Sequence, residues 1–320
     1  MAMLDLQDLS VDLPLGGAAV HVLRQVSLSV QRGRIHGLIG ESGCGKTMTA
    51  MALLGLLPAG ARLQAARFTF DGMALADVAE SLRGRRIAMI SQDPAAALNP
   101  VLTIGRQLDD VLRAHHALPR PARRARAIEL LAATGLAEPA RVLRSYPHQL
   151  SGGMNQRVVI AQALATGADL LIADEPTTAL DVTVGAQVLD LLRRLVAERG
   201  LTILMITHDM DVIRKVCDSA TVLYAGTSVE DGPSDLILSA PRHPYTRALL
   251  AALPDAVPPG QRLAAIEGRI PPPTETLPGC IFAPRCALRR EACLAAKPPL
   301  RRSEAQSWAC VVEDVNDEDA

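Results

Sequence analysis

Residues 40–47, GESGCGKT, constrain the fold of this chain more than any other segment. They fit G-x-x-x-x-G-K-[ST] and follow an apolar run at 34–40, which is the strand, loop and helix order of a phosphate-binding loop. Glycines let backbone N–H groups face an anion, and the positive end of the helix favours phosphate. We predict that Lys46 reaches the β and γ phosphates and that the Thr47 hydroxyl binds Mg²⁺. The residues predicted to hold the nucleotide here are Gly40, Glu41, Ser42, Gly43, Cys44, Gly45, Lys46, Thr47 and Met48.

Three further apolar runs predict buried parallel strands, and they lie at 85–92, 169–176 and 201–209. Between the last two runs, apolar residues recur at the spacing of a helix, and residues 100–165 show only helical patterns. Alternating strands and helices predict a doubly wound α/β fold, with ligands beyond the carboxyl ends of the strands. We expect one domain over 1–250 with a helical subdomain at about 100–165. A proline-rich linker from about Pro254 then begins an extension over 251–320, which carries four cysteines and an acidic tail.

The run at 169–176 places two adjacent carboxylates, Asp174 and Glu175, at the end of a strand. Such a pair can divide the work, because Asp174 can bind Mg²⁺ while Glu175 orients and activates an attacking water. Taken alone, the two acids could be a solvated strand end. Together with the phosphate-binding loop they predict a nucleotide-hydrolysing centre. By contrast, Ser151 in LSGGMNQR could simply cap a helix, and His208 could be an ordinary hydrogen-bonded histidine.

Composition narrows the partners and the compartment. A formal net charge of −1 gives no broad attraction to nucleic acid, so we expect none as a partner. Acidic residues near the N-terminus argue against a secretory signal, and the longest apolar stretch is shorter than the roughly 20 residues of a membrane-spanning helix. We therefore expect a cytosolic chain, where stable disulfides are uncommon.

Six motifs, taken in order, resemble those of the nucleotide-binding subunit of ATP-binding cassette (ABC) transporters. They are GESGCGKT, ISQDP, LSGGMNQR, LLIADEP, TALD and ITHD. The resemblance implies a head-to-tail dimer in which Ser151 and Gly153 contact the γ-phosphate held by the other subunit. It implies that His208 contacts this phosphate in cis, that Gln92 senses Mg²⁺ and water, and that Asp181 connects the two sites. The implied catalytic residues are Glu175, His208, Gln92 and Lys46. The implied Mg²⁺ ligands are Thr47, Gln92 and Asp174. The resemblance also implies that the nucleotide is contacted by Ser151, Gly152, Gly153, Gln156 and Asp181.

Longer stretches look like the ATP-binding subunits of dipeptide, oligopeptide and nickel importers. They are AMISQDPAAALNP, YPHQLSGGM, IADEPTTALDVTV and APRHPYTRALLAALP, in which HPYT opens the C-terminal extension of that group. The resemblance implies an ATPase that powers import of peptides, with nickel or another small solute as the alternative. It also implies a second ATPase subunit, paralogous or identical, two membrane permeases and an extracytoplasmic solute-binding protein. The implied location is the cytoplasmic face of the inner membrane, as a peripheral subunit.

Two other functional classes stay open. One is a soluble cassette ATPase of DNA repair or translation, although the chain has neither a long coiled-coil insertion nor a second cassette. The other is a regulatory or redox module whose main part is the cysteine-containing tail. A departure from the ABC pattern is that residues 1–67 contain no Phe, Tyr or Trp to stack on adenine. His21, Val20 or Val22 would have to replace that contact.

Four of the six cysteines lie in the extension: Cys280, Cys286, Cys293 and Cys310. Their spacing lacks the C-x2-C pairs typical of zinc ribbons, and it leaves a four-thiolate metal site and free thiols open, with disulfides disfavoured by the compartment. Members of the importer group carry GC-x-F-x-P-RC before two more cysteines, and some hold a four-iron four-sulfur cluster there. GCIFAPRC keeps this frame with Ile281 in place of a common proline. The resemblance thus implies a 4Fe-4S cluster on these four cysteines, with zinc as the runner-up.

Overall fold

The computed structural model describes residues 2–15, 18–253 and 265–312. The start of the predicted linker at Pro254 and the predicted acidic tail lie outside the described residues. The chain divides into two compact units. Unit 1 comprises Met1–Gln31, His36–Ala76 and Thr207–Ala320, and unit 2 comprises Arg32–Ile35 and Asp77–Ile206. The domain limits expected from the sequence stay predictions.

The elements of the described residues are numbered here in chain order. The strands are β1 Ala2–Leu15, β2 Ala18–Gln31, β3 Ile35–Ile39, β4 Arg62–Gln64, β5 Arg67–Phe70, β6 Met73–Ala74, β7 Ile87–Ile90, β8 Leu170–Asp174, β9 Thr202–Thr207, β10 Ser219–Tyr224, β11 Thr227–Pro233, β12 Leu300–Arg302 and β13 Ser307–Ala309. The helices are α1 Lys46–Leu53, α2 Leu75–Leu82, α3 Pro94–Ala97, α4 Ile104–His115, α5 Arg120–Ala133, α6 Pro139–Val142, α7 Gly152–Ala165, α8 Val182–Arg199, α9 Met210–Val216, α10 Ser234–Ser239, α11 Pro244–Ala251 and α12 Ala292–Ala295. Short 3₁₀ helices cover Pro147–Gln149 and Ala283–Arg285.

An antiparallel sheet in unit 1 has the strand order β2-β1-β5-β6, with β4 also paired to β1. Leu4 of β1 lies opposite Val30 of β2 and opposite Phe70 of β5, and all three side chains are buried. In β1 the buried Leu4 and Leu6 alternate with the half-buried Asp5, as expected for a strand with one face in the core. Such strands have no continuous apolar run, and the sequence predictions therefore miss them.

The second sheet of unit 1 takes strands from both ends of the unit. β3 pairs with β10 in parallel, whereas β11 pairs antiparallel with both β10 and β13, and β12 completes the edge. Glu230 of β11 lies opposite Trp308 of β13. The last two strands belong to the extension, so the extension continues this sheet.

Unit 2 contains three parallel strands in the order β7-β8-β9. Every residue of β8 and β9 is buried, as expected when helices cover both faces of a parallel sheet. The runs predicted at 34–40, 85–92, 169–176 and 201–209 are β3, β7, β8 and β9, and the α/β fold class is confirmed. Residues 100–165, all of them described, contain helices and no strand. Among the helices of the described residues, none has the length and hydropathy needed to cross a membrane.

The helix predicted between the last two of these runs is α8, and both of its ends show why it stops there. The side chain of Asp181 accepts a hydrogen bond from the N–H of Val184 at 2.9 Å and caps the first turn. Gly200 follows the last turn with φ of 65°, a left-handed conformation that glycine adopts without strain.

An aromatic cluster joins the extension to the rest of unit 1. The ring centroid of Tyr224 lies 4.6 Å from that of Tyr245 and 5.1 Å from that of Phe282, which meets it edge-on. All three side chains are almost completely buried. Since the chain has only three Phe, three Tyr and one Trp, a large part of its aromatic surface is placed at this junction.

His243, just before α11, is buried beside this cluster, with 1% of its surface exposed. Its Nδ1 accepts a hydrogen bond from the N–H of Tyr245 at 3.0 Å. Burial lowers the pKa of His243 to about 3, and a hydrogen bond with the backbone of Ala309 opposes the shift in part. The imidazole is therefore neutral in the folded protein.

We expect the free energy of unfolding to fall as pH drops from 7 to 5.5. The unfolded histidine takes up a proton below its ordinary pKa of about 6.5 while folded His243 does not, which favours unfolding by about 1 kcal/mol at pH 5.5. His36, buried between Ser219 and Thr221, has a lowered pKa from burial and adds to the slope. In His243→Asn, the decrease in the free energy of unfolding between pH 7 and 5.5, measured by urea titration, should be smaller by about 1 kcal/mol. The exposed His148→Asn serves as the control, and an unchanged slope in His243→Asn would contradict the assignment.

Candidate functional site

The phosphate-binding loop lies in unit 1, between β3 and α1. A Cβ atom on Gly40 would collide with the carbonyl oxygen of Leu223 in β10, so no other residue fits there. Gly45 caps α1 with φ of 106°, which a residue with a side chain rarely adopts. Thr47 is exposed, whereas Cys44 and Lys46 are buried. The loop is thus shaped by close packing against β10 and by two glycines with positive φ, Gly43 and Gly45.

Lys46 is directed at the backbone of its own loop. Its Nζ donates to the carbonyl oxygens of Gly40 and Glu41 at 2.7 and 3.0 Å. The same ammonium lies 3.9 Å from the Cys44 sulfur, and burial raises the pKa of that thiol. A cation held by carbonyl oxygens at the base of the loop is available to exchange these contacts for phosphate oxygens.

The predicted catalytic carboxylate lies in unit 2, at the carboxyl edge of β7 and β8. These strands are neighbours in parallel register, so Gln92 after β7 and Glu175 after β8 emerge at one edge. The Nε2 of Gln92 donates to Oε2 of Glu175 at 3.0 Å. Asp174, the last residue of β8, is 7% exposed. The structure therefore brings together the two side chains that were predicted to handle water.

Glu175 is held in an unusual conformation. Its φ is 47°, in the left-handed region, and its N–H donates to the carbonyl oxygen of Ile206 at 2.9 Å. The hydroxyl of Thr178 donates to Oε2 of Glu175 at 2.9 Å. A strained residue fixed by neighbouring hydrogen bonds is typical of functional positions. The carboxylate is held in one orientation at the strand end.

The motif LSGGMNQR supplies the start of α7 in unit 2, and its residues Ser151, Gly152 and Gly153 are called the signature residues here. Ser151 is exposed, and its Oγ accepts from the N–H of Met154 at 3.3 Å. Gly152 is also exposed. A Cβ on Gly153 would collide with the side chain of Val184, in the first turn of α8. Because Asp181 caps α8 through Val184, the start of α7 and the TALD motif are packed against each other.

Gln156 differs from the other predicted nucleotide residues because it is 1% exposed. Neither its amide nitrogen nor its amide oxygen has a hydrogen-bond partner among the described residues. Its place one turn inside α7 explains the burial, since the helix turns this position away from the exposed Ser151. Met48, in the first turn of α1, is half-buried.

The remaining predicted residues lie in unit 1. His208 is exposed and directly follows β9. His21 was considered as a contact for adenine, and its ring Nδ1 lies 2.6 Å from Oδ1 of Asp12. The backbone N–H of His21 donates to the carbonyl oxygen of Pro273 at 3.1 Å. Val20 is buried, at 7% exposed. The N-terminal position where an aromatic ring is missing is therefore bordered by the extension.

The four cysteines predicted to hold a cluster line one small cavity together with Phe282 and Leu288. All four are free thiols. Burial raises the pKa of Cys286 to about 11 and raises the pKa values of Cys280 and Cys310, which favours protonated sulfur. Within the described part of the chain, no three His, Cys, Asp or Glu side chains are grouped so that they could hold a metal ion. The described residues thus show no formed metal site for the predicted 4Fe-4S cluster or for its zinc alternative.

Two contacts at the site were not predicted. The Thr178 hydroxyl on Glu175 could have been suspected, because it lies three residues further on in the same motif. The hydroxyl of Tyr245, which accepts from the N–H of Glu41 at 3.0 Å, had no such signal. The two residues are 204 positions apart, and only folding brings them together.

Comparisons with known proteins agree with these features. A family model described as ABC transporter matches residues 23–178, and one described as oligopeptide/dipeptide transporter, C-terminal region, matches 229–293. A putative peptide import ATP-binding protein of Brucella abortus is 43% identical over 96% of this chain and 94% of its own length. The dipeptide transport ATP-binding protein DppD of Escherichia coli is 42% identical over 94% and 93%.

Solved structures share the fold. The dimeric ATP-binding cassette MJ0796 bound to ADP and Pi superimposes with a TM-score of 0.61 at 29% identity, over 72% of this chain and 99% of that one. A structure titled ATP binding subunit of ABC transporter gives a TM-score of 0.60 at 31% identity, over 73% and 91%.

Because Gly153 packs closely on Val184, we expect the stability of the protein to be sensitive to a side chain at position 153. Gly153→Ala should lower the free energy of unfolding by about 1–3 kcal/mol, because overpacking forces α7 and α8 apart. The double variant Gly153→Ala with Val184→Ala removes the obstructing methyl groups and should recover most of the loss. Urea titration measures both.

Gly152→Ala is the matched control, since its Cβ would lie 3.7 Å from Leu180, an ordinary contact. It should be as stable as the unaltered protein or more so, because alanine favours helix. Equal losses in Gly152→Ala and Gly153→Ala would show that the contact with Val184 is not the cause.

Proposed function

This chain belongs to the ABC transporter family as an ATP-hydrolysing subunit, and from that premise we propose that it powers the import of di- or oligopeptides. One geometric observation carries the hydrolytic part of the proposal, namely the contact of Gln92 and Thr178 with Glu175. The cargo is supported by the printed names of the relatives and by the matched oligopeptide/dipeptide C-terminal region.

Glu175 is proposed as the general base. Hydrogen bonds from Gln92 and Thr178 to one of its oxygens hold the carboxylate in a fixed direction, and it would orient a water molecule for attack on the γ-phosphate. Asp174, Thr47 and Gln92 would hold Mg²⁺, whose role is to neutralise phosphate charge. Carboxylate, hydroxyl and amide oxygens suit this hard cation. Lys46 would stabilise the phosphates from the base of the loop, and His208 would contact the γ-phosphate.

The signature residues are proposed to act in a second chain. Ser151, Gly152 and Gly153 begin α7 with exposed or half-exposed backbone, and such a helix start favours an anion. In a head-to-tail dimer this end would meet the γ-phosphate bound by the other chain, with Asp181 connecting the two sites. The equilibrium between open and closed dimers shifts only by ATP's differential affinity for the two states.

The proposed assembly contains a second ATPase chain, identical or paralogous, two membrane permeases and an extracytoplasmic solute-binding protein. It places this chain on the cytoplasmic face of the inner membrane. The relatives' names support peptide transport. They do not favour nickel as cargo, nor a soluble cassette ATPase.

We also propose that Cys280, Cys286, Cys293 and Cys310 bind a 4Fe-4S cluster, with zinc as the runner-up. The support is that four thiols line a single cavity. Ligation requires thiolates, and metal binding would have to offset the raised thiol pKa values.

Glu175→Gln should retain ATP binding and lose most turnover, by about 10²- to 10⁴-fold, because a positioned general base is removed while the hydrogen-bonding shape is kept. Membrane vesicles that contain this chain and its co-purifying permeases should take up labelled dipeptide, and the Glu175→Gln form should not. Phosphate release and uptake are measured on the same vesicles.

Asp190→Asn, at an exposed acid on α8, is the control and should behave as the unaltered protein. Near-normal hydrolysis by Glu175→Gln would remove Glu175 from its role. Normal ATP turnover coupled to uptake of nickel, but not of any peptide, would contradict the proposed cargo.

Anaerobically purified full-length chain should contain iron and inorganic sulfide. Cys293→Ser should lose most of the iron, whereas Cys217→Ala, outside the cavity, should retain it. Elemental analysis and the visible absorption spectrum decide the matter. Zinc in place of iron would establish the runner-up, and a metal-free protein would dismiss both.

A further inference from the structure

A buried arginine of the extension is paired with the phosphate-binding loop. The side chain of Arg285 is 4% exposed, and its Nη1 and Nη2 donate to Oε2 and Oε1 of Glu41 at 2.8 and 3.1 Å. Two parallel bonds between a guanidinium and a carboxylate form one of the stronger and more directional pairs in proteins. Glu41 is the second residue of the loop.

The rest of the guanidinium is fully used as well. Nε donates to the carbonyl oxygen of Glu267 at 3.0 Å, and Nη2 donates to that of Ile266 at 3.0 Å. Nη1 also lies 3.4 Å from the hydroxyl of Tyr224. All five N–H donors of Arg285 therefore have an acceptor. Moving the side chain would leave buried donors unsatisfied, so it is held in one place.

The backbone of Arg285 is fixed to the same part of unit 1. Arg285 is the last residue of the 3₁₀ helix Ala283–Arg285, which begins directly after Phe282. The ring of Phe282 packs between Tyr224 and Tyr245, with centroid distances of 5.1 and 5.3 Å. Arg285 thus reaches the loop from a rigid base.

Glu41 is held on its backbone too. Its N–H donates to the hydroxyl of Tyr245 at 3.0 Å, and its carbonyl oxygen accepts from Nζ of Lys46 at 3.0 Å. Tyr245 and Arg285 both come from residues after 240, while Lys46 is the proposed phosphate-binding residue. The C-terminal part of the chain therefore restrains the residue on which Lys46 rests.

The charge of Glu41 makes this restraint matter for nucleotide binding. A carboxylate within the loop repels the negatively charged phosphates of ATP. Pairing with Arg285 neutralises that carboxylate and holds it in a fixed direction.

We propose that Arg285 is a positioning residue for ATP, which acts through Glu41 and makes the affinity of the phosphate-binding loop depend on the docked extension. This inference rests on the proposed role of residues 40–47 in binding ATP. It goes beyond that role because it assigns to the extension an effect on the ATPase site.

The test is calorimetric titration of the full-length chain with MgATP. Arg285→Ala should bind ATP about tenfold more weakly, which is about 1.4 kcal/mol. The ATP affinity of Arg285→Lys should lie between those of the unaltered chain and Arg285→Ala, because an ammonium keeps the charge but not the two-bonded geometry. In a Glu41→Gln background, where the carboxylate charge is absent, Arg285→Ala should change the Kd by less than about threefold.

Steady-state kinetics of ATP hydrolysis distinguish a positioning role of Arg285 from a general loss of folded protein. If Arg285 positions the loop, the KM for ATP rises and kcat at saturating ATP changes little, whereas partial unfolding lowers kcat and leaves KM. Arg289→Ala, at an exposed arginine of the same segment, is the matched control. Should Arg285→Ala fail to fold by circular dichroism, Arg285→Lys and Glu41→Gln test the pair from its two sides.

Unaltered affinity in folded Arg285→Ala and Arg285→Lys would overturn the proposal, as would an equal loss from Arg285→Ala in both backgrounds. Failure of the unaltered chain to bind MgATP would instead reject the proposed function of the loop. The two failures are thus distinguishable.

Discussion

The close approach of the phosphate-binding loop to β10 is the constraint on which unit 1 depends. There is no room for a side chain between Gly40 and the carbonyl of Leu223, and the N–H of Gly226 donates to the carbonyl oxygen of Cys44 at 2.8 Å. The loop is therefore built onto the end of a buried strand pair, β3 with β10. Packing and backbone hydrogen bonds therefore define its shape.

In unit 2 the corresponding constraint is the parallel register of β7 and β8. Once Ile90 lies opposite Ala173, the residues that follow the two strands must emerge side by side. This is why an amide from one motif meets a carboxylate from another, 83 positions away. Hydrogen bonds to Thr178 and Ile206 then fix Glu175 in a conformation that a non-glycine residue seldom adopts. Register supplies proximity, and local hydrogen bonds supply orientation.

The sequence predicts the parts of this arrangement that depend on local patterns. Continuous apolar runs predict β3, β7, β8 and β9, and the position of Glu175 follows from the end of its run. The alternating β1 and β2 lack that signal. Contacts such as Tyr245 with Glu41 join residues 204 positions apart, and no spacing rule specifies them. The burial of Gln156 was equally hidden, because a motif assigns residues to a site without stating which way a helix turns them.

The extension is tied to the rest of unit 1 by three kinds of contact. Its β13 pairs with β11, so part of its backbone hydrogen bonding depends on the sheet of unit 1. Its Phe282 packs against Tyr224 and Tyr245, with ring centroids 5.1 and 5.3 Å away. Arg285 then adds a charge pair with Glu41 that neither segment could leave unpaired without cost, since a buried guanidinium needs its acceptors. The thiol-lined cavity also shares Phe282 with the aromatic cluster, and the cluster in turn supplies Tyr245, whose hydroxyl accepts from the N–H of Glu41, so packed side chains connect the cavity with the phosphate-binding loop.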